Sequence, residues 1–223
     1  MSADQPGVLR VFQTRAQTKA FYNKISKVYD LLAEHSEAPI RQKGIDMLGA
    51  VEGETVLEIG CGTGHCVEAL ARAVGPGGHV HAVDLSEGML EQTHKLLAEK
   101  GLSDRVLLEC ADAEKLPFVD DTMDAVFMSF TLELFDTPVI SAVLDECRRV
   151  LRPHGRIVVV GMSKEGKDDP LVRVYEWTHR HFPNFVDCRP IYVRRALEAA
   201  GFDIQASAVE HLWVPVEIVL ANK

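Results

Sequence analysis

The stretch Val56-Leu57-Glu58-Ile59-Gly60-Cys61-Gly62-Thr63-Gly64-His65 decides the fold. An apolar run with one acid near its end breaks into three alternate glycines, and a helical pattern follows over residues 67–74. This is a strand, a tight turn and a helix, a unit in which a ligand can press against bare backbone at the carboxyl edge of a parallel sheet. His65 stands where a dinucleotide fingerprint wants its last glycine. No Lys or Arg lies between Val51 and Ala71, and no Gly-Lys-Ser/Thr follows. A P-loop is therefore excluded, and a pyrophosphate would find little to neutralise it. The turn suits a ligand without phosphate.

Working outward, the breaker Gly75-Pro76-Gly77-Gly78 ends the first helix, and His79-Val80-His81-Ala82-Val83-Asp84 reads as a second strand. Ser86 can cap the next helix, which Gly101 closes. Residues 105–110 and 124–131 are strands three and four, the latter mostly apolar and so buried mid-sheet. A helix over 139–151 stops at Arg152-Pro153-His154-Gly155, and 156–161 is strand five. This alternation predicts a doubly wound sheet with right-handed crossovers. Upstream, residues 1–14 read as loose, and helical spacing is present over 15–32 and again over 39–48. Downstream, a helix over 191–200 precedes strands over 202–210 and 213–221. So short a connection must be a hairpin, so the last strand runs antiparallel to the rest. The division expected is a helical cap over 1–50, a cofactor-binding core over 51–161, a substrate-side cap over 162–190, and a helix with a hairpin over 191–223.

The 223 residues can bury a full core, and 47% apolar with 26% charged residues is ordinary globular composition. A net charge of −9 argues against a nucleic-acid partner. Five cysteines without a CxxC pair suit free thiols in a reducing compartment, and no apolar run approaches a membrane span. The expected location is cytoplasmic. His79-Val80-His81 and His179-Arg180-His181 each pair two imidazoles, but no Cys or acid completes a ligand set nearby, so no metal is expected.

Three acids are spaced along the strand ends. Glu58 precedes the turn, Asp84 ends strand two, and Asp112 follows strand three. Asp84 is placed to accept from ribose hydroxyls and Asp112 from an adenine amino group. A ligand with a ribose, an adenine and a cationic end would use all three.

At this point the chain resembles a class I S-adenosylmethionine-dependent methyltransferase of the UbiE-like group. The matching pieces run in order over residues 21–161. They are Val56 to Gly64; His81-Ala82-Val83-Asp84-Leu85-Ser86 with Met89-Leu90; Asp112-Ala113-Glu114-Lys115-Leu116-Pro117-Phe118; Met128-Ser129-Phe130; and Arg149-Val150-Leu151-Arg152-Pro153-His154-Gly155. The resemblance implies a Rossmann-like seven-stranded sheet and S-adenosylmethionine as cofactor, released as S-adenosylhomocysteine. It also implies roles. Gly60 and Gly62, with Thr63, would bound the methionyl part, Asp84 the ribose, and Asp112 and Ala113 the adenine. Ser129 would sit near the methionine end, Tyr22 or Tyr29 would close over the cofactor, and Leu85 and Met89 would complete its wall.

One departure bears on the acceptor. Quinone-methylating members carry Phe-Gly-Leu-Arg-Asn after the serine, where this chain has Phe130-Thr131-Leu132-Glu133-Leu134. Glu133 is the first candidate for a general base, since a carboxylate in an apolar strand end can have a raised pKa; the alternative is a solvated loop acid. His179 is the second catalytic candidate, in a segment with Tyr175, Trp177, His181, Phe182 and Phe185 that fits either a packed cap helix or a substrate lining. The expected activity is methyl transfer to a small or lipid-like acceptor, with transient contact at a membrane surface. The alternatives are a quinone C-methyltransferase, a nicotinamide dehydrogenase and a non-catalytic binding fold.

Overall fold

The computed structural model describes residues 7–11, 13–27, 29–165, 177–178 and 188–223. Seven strands form one sheet: β1 (Thr55–Ile59), β2 (His79–Asp84), β3 (Val106–Cys110), β4 (Met123–Ser129), β5 (Leu151–Met162), β6 (Asp203–His211) and β7 (Pro215–Asn222). Their order across the sheet is β3-β2-β1-β4-β5-β7-β6. Neighbours from β3 through β5 pair in parallel, whereas β7 runs antiparallel to both β5 and β6. The doubly wound sheet with an antiparallel last strand is as expected from the sequence. The hairpin alone did not show that β7, rather than β6, is the strand that pairs with β5.

Around the sheet lie α1 (Arg15–Ile25), α2 (Tyr29–Leu48), α3 (His65–Ala73), α4 (Glu87–Lys100), α5 (Thr137–Val150) and α6 (Val193–Ala199). Alternation along each strand sorts the core into two layers. Leu57, Ile59, Val126, Met128, Ile157 and Val159 face α5 and α6, and pack on Ile140, Val143, Leu144 and Leu197. Val56, Val80, Ala125, Phe127, Val158 and Val160 face the opposite layer, with Ile40, Leu48, Val67, Leu70 and Leu97 from α2, α3 and α4. Each fully buried aliphatic side chain contributes about 1.5–3 kcal/mol of transfer free energy. Parallel pairing from β3 through β5 places the carboxyl ends of β1 to β5 on the same rim, where the site is built.

Local chemistry sets the element ends. Ser86 Oγ accepts the Met89 N–H at 3.1 Å to start α4, and Gly101 at φ +67° ends it. Asp136 caps α5 by accepting from the Thr137 N–H at 2.9 Å, with a proline in the first turn. Two boundaries differ from the sequence reading. The helical spacing over 15–32 divides into α1 and the start of α2, and α2 continues through Pro39 instead of starting there. The anchorage of Ile40, Ile45 and Leu48 on the sheet outweighs the local cost of a proline within the helix. The Arg152–Gly155 turn is likewise absorbed into β5: Met123 pairs with Leu151 and Ala125 with Arg156, so β5 advances five residues while β4 advances two. The extra residues form a bulge with His154 at φ +66°. Most of the 162–190 segment, including Tyr175, His179, His181, Phe182 and Phe185, lies outside the described residues. Among the described residues, no helix is long and apolar enough to cross a membrane.

Candidate active site

After β1 the chain reverses at Gly60, whose φ of +73° favours glycine. The turn is sealed by its own neighbours. The Gly60 and Cys61 N–H groups both donate to Val83 O, at 2.8 and 3.1 Å, and the Gly64 N–H donates to Cys61 O at 3.0 Å. The Gly62 N–H donates to Asp84 Oδ2 at 2.9 Å, and the Thr93 hydroxyl donates to Gly62 O at 2.7 Å. These donors are committed inside the protein, so the turn is a wall for a ligand and not a phosphate cradle. A Cβ on Gly60 would lie 2.3 Å from Thr131 Oγ1, whereas one on Gly62 would meet nothing within 4 Å.

At this rim lies a cavity of about 350 Å³, a size that holds a cofactor-sized molecule. Gly60, Gly62, Asp84, Leu85 and Met89 line it from β1, β2 and α4, Asp112 and Ala113 from the loop after β3, Ser129 from the end of β4 and Tyr22 from α1. Beyond these expected residues, the cavity continues into an apolar end formed by Leu134, Phe135 and Val139 with Val11. Glu58 and Thr63, with His65, line an adjoining recess of about 50 Å³ together with Glu37 and Arg41 of α2. Gly60, Gly62, Ser129 and Phe130 line both spaces. Tyr29 opens α2, and its side chain lies outside what the structure describes.

Electrostatics differ from one acid to the next. Burial raises the Asp84 carboxyl, opposed by the N–H groups of Ser86 and Gly62. Burial holds Glu58 well above the usual carboxylate range; the Arg41 charge opposes this and the Asp84 charge adds to it. Glu58 Oε2 and Ser129 Oγ are buried polar atoms without a hydrogen-bond partner among the described residues. Asp112 accepts the Glu114 N–H at 3.0 Å and is ion-paired with Arg15, which also pairs with Glu114.

Glu133 is fully buried and does not line the cavity. Its Oε1 accepts the Met162 N–H at 3.0 Å, and its other oxygen faces Gly161, where an added Cβ would lie 3.0 Å away. Burial pushes its pKa up to about 7, against the pull of the Met162 N–H. The histidine pair on β2 also sits elsewhere: His81 stacks edge-on against Phe118 at 4.9 Å and faces Glu109 at 3.6 Å.

The strap ahead of α1, described at residues 7–11 and 13–14 and read from the sequence as loose, supplies residues that the sequence reading missed. Val11, Gln13, Thr14 and then Arg15 line the cavity. Arg10 donates from Nε and Nη2 to Asp136 at 2.8 and 2.6 Å, and the Val11 N–H donates to the same carboxylate at 3.1 Å. Arg189 donates to Leu9 O, and Lys164 to Gly7 O. A reciprocal capping box, Thr14 with Gln17, starts α1; it was a legible signal that only fixes a helix start. Farther along, Asn23 Oδ1 accepts from Ser86 Oγ at 2.7 Å and from the Gly88 N–H at 2.8 Å, docking α1 on the start of α4 beside Tyr22.

Comparison with known proteins agrees with this geometry. A family model described as a methyltransferase domain matches residues 56–155. The chain is 30% identical over 169 residues to a demethylmenaquinone methyltransferase of Lactobacillus johnsonii, covering 74% of this chain and 68% of that protein. It is 40% identical over 161 residues to a demethylmenaquinone methyltransferase of Clavibacter sepedonicus, covering 70% of this chain. The match spans 62% of that relative's own length, less than two thirds. The crystal structure of a SAM-dependent methyltransferase from Aquifex aeolicus superposes with a TM-score of 0.67 at 27% identity, covering 90% of this chain and 97% of that one. The chain belongs to the class I S-adenosylmethionine-dependent methyltransferases, in their UbiE-like group.

Proposed function

We propose that the protein transfers a methyl group from S-adenosylmethionine to a small lipophilic acceptor, as a cytoplasmic enzyme. The observation that carries this reading is the cavity itself, in which the polar wall of Gly60, Gly62, Asp84 and Asp112 passes into the apolar end of Val11, Leu134, Phe135 and Val139. The residues present fit the cofactor. Among the described residues, Glu58 Oε2 and Ser129 Oγ are buried polar atoms without a partner beside the glycine turn, and Arg41 lines the same recess. An amino-acid end, with its ammonium and carboxylate, complements that set. Asp84 would accept from the ribose, with Asp112 and Ala113 at the adenine and Leu85, Met89 and Tyr22 as walls. When bound, the cofactor supplies an electrophilic methyl group on a sulfonium.

The chain's own part is placement. The strap and the loop after β4 would exclude water and hold the acceptor in line with the methyl group; such orientation can supply about 7–11 kcal/mol of barrier lowering. Two carboxylates at the cavity wall are ion-paired, Asp136 with Arg10 and Asp112 with Arg15, which suits an acceptor that arrives as a nucleophile. In this reading Glu133 is a buried structural acid and no base. The five free cysteines agree with a reducing compartment.

The test is a methyl-acceptor screen with labelled cofactor over phenols, thiols, amines and quinols, beside calorimetry with S-adenosylhomocysteine. Absence of binding in calorimetry would end the methyltransferase reading. A second reading, a quinol acceptor, is favoured by the names of the demethylmenaquinone-methylating relatives. Label transfer to a naphthoquinol in preference to the phenols would select it.

A further inference from the structure

Arg189 is fully buried in the structure, although its side chain carries a charge. Nη1 donates to Glu133 O at 2.8 Å, Nη2 to Phe135 O at 2.8 Å and to Thr137 Oγ1 at 3.1 Å, and Nε donates to Leu9 O. These acceptors are neutral, and no salt bridge is recorded for the guanidinium among the described residues. Burying a charge in this way costs stability, and an apolar residue of similar volume is often at least as stabilising at such a site. The guanidinium instead joins three stretches of chain: the strap at Leu9, the turn after β4 at Glu133 and Phe135, and the first residue of α5.

Both ends of this junction belong to the cavity. Val11 and Gln13 follow Leu9 on the strap, and Leu134, Phe135 and Val139 flank the carbonyls that Arg189 holds. A planar fork donates from three separate nitrogens in fixed directions, a spread that the three N–H groups on the one nitrogen of an ammonium do not span. Across the same gap, Arg10 pairs with Asp136 from the solvent side, with Arg10 more than half exposed. The roof thus has a buried fastening and an exposed one. Exposed pairs contribute little.

We propose that Arg189 is a positioning residue for the acceptor end of the cavity, holding the strap ahead of α1, at Leu9, against the wall formed after β4. This rests on the methyltransferase reading for its consequence in turnover, but not for its effect on the strap. Leu9 and Arg189 do not line the cavity, so the guanidinium acts through Val11, Phe135 and their neighbours.

The experiment compares the full chain with Arg189→Met, Arg189→Lys and Arg10→Ala by hydrogen exchange at the strap amides, with Val11 as reporter. Loss of about tenfold or more in protection is expected in both Arg189 variants, with a change of no more than about twofold in Arg10→Ala. Affinity for S-adenosylhomocysteine should stay within about threefold, while KM for an acceptor found by the screen should rise about tenfold or more, with Lys no better than Met. Retained strap protection in the Arg189 variants, with only a lower melting temperature, would overturn the proposal. So would opening of the strap by Arg10→Ala alone, a variant at an exposed site that keeps the test decisive if the Arg189 variants fail to fold. A strap that loosens as expected in a protein that methylates nothing would leave the Arg189 assignment standing and sink the function.

Discussion

The Asp84 carboxylate accepts the Gly62 N–H at 2.9 Å, so the acid that ends β2 holds the glycine turn that follows β1. Its other oxygen accepts the Ser86 N–H at 2.8 Å, at the cap of α4. One side chain therefore joins three elements and faces the cavity as well. Asp84→Ala should weaken S-adenosylhomocysteine binding by about 1–3 kcal/mol and also lower thermal stability, because two backbone donors lose their partner. Calorimetry and a melting curve on the same sample separate the two effects. Unchanged affinity would remove the ribose assignment.

Gly60 and Gly62 should respond differently to the same substitution. Gly60→Ala drives a Cβ to 2.3 Å from Thr131 Oγ1 at a positive φ, and should cost about 2–4 kcal/mol in denaturant unfolding. Gly62→Ala meets open space, so only about 1–2 kcal/mol of backbone cost is expected, with the loss appearing in cofactor affinity. Equal destabilisation by the two would contradict the geometry of the turn.

Glu133 predicts a pH dependence. Its pKa is pushed by burial from 4.5 to about 7 in the folded chain, so the folded state holds this proton more tightly than the unfolded chain does. The resulting stabilisation is complete below pH 4.5 and is lost as the pH rises through about 7. A shift of that size corresponds to about 3 kcal/mol. Glu133→Gln should therefore flatten the stability profile between pH 5 and 8 and unfold later than wild type at pH 8, with cofactor affinity unchanged. Asp84, Glu58 and Glu217 are also raised by burial, and the difference between wild type and variant isolates Glu133. A hundredfold loss of turnover in the variant would restore Glu133 as a base.

Asn23→Ala removes the acceptor for Ser86 Oγ–H and the Gly88 N–H, and should cost about 1–2 kcal/mol while loosening α1 from α4. Gly88 permits the close approach, since a Cβ there would lie 3.1 Å from Asn23 Cα. Hydrogen exchange over residues 15–25 should rise more than over α4. Equal protection in both helices would place the docking elsewhere.

The sequence made the sheet and the polar wall of the cavity legible because both rest on local signals. Continuous apolar runs, buried on both faces, mark β1 and β4, the Gly75–Gly78 breaker ends α3, and Asp84 and Asp112 fall at strand ends where topology alone aims them at one rim. The position of Glu133 was not legible. Phe130 adopts φ +48°, which resets the alternation of strand four, so the pattern that places Ser129 at the cavity does not carry on to residue 133. Nor was the strap: residues 7–14 have no periodicity, and their partners are Asp136, Lys164 and Arg189, far along the chain. Contacts of that range leave no trace in a local window.

β7 follows β6 in the chain yet is an interior strand, paired on both sides and almost wholly buried. During synthesis β5 therefore presents an unpaired edge until residues 215–222 have emerged, and β6 has no place in the sheet before then. Premature termination just after β6 would leave two unsatisfied strand edges and a split core, a species prone to edge-to-edge aggregation. Loss of these few residues should thus be punished by precipitation and proteolytic clearance, not by a graded decline in activity.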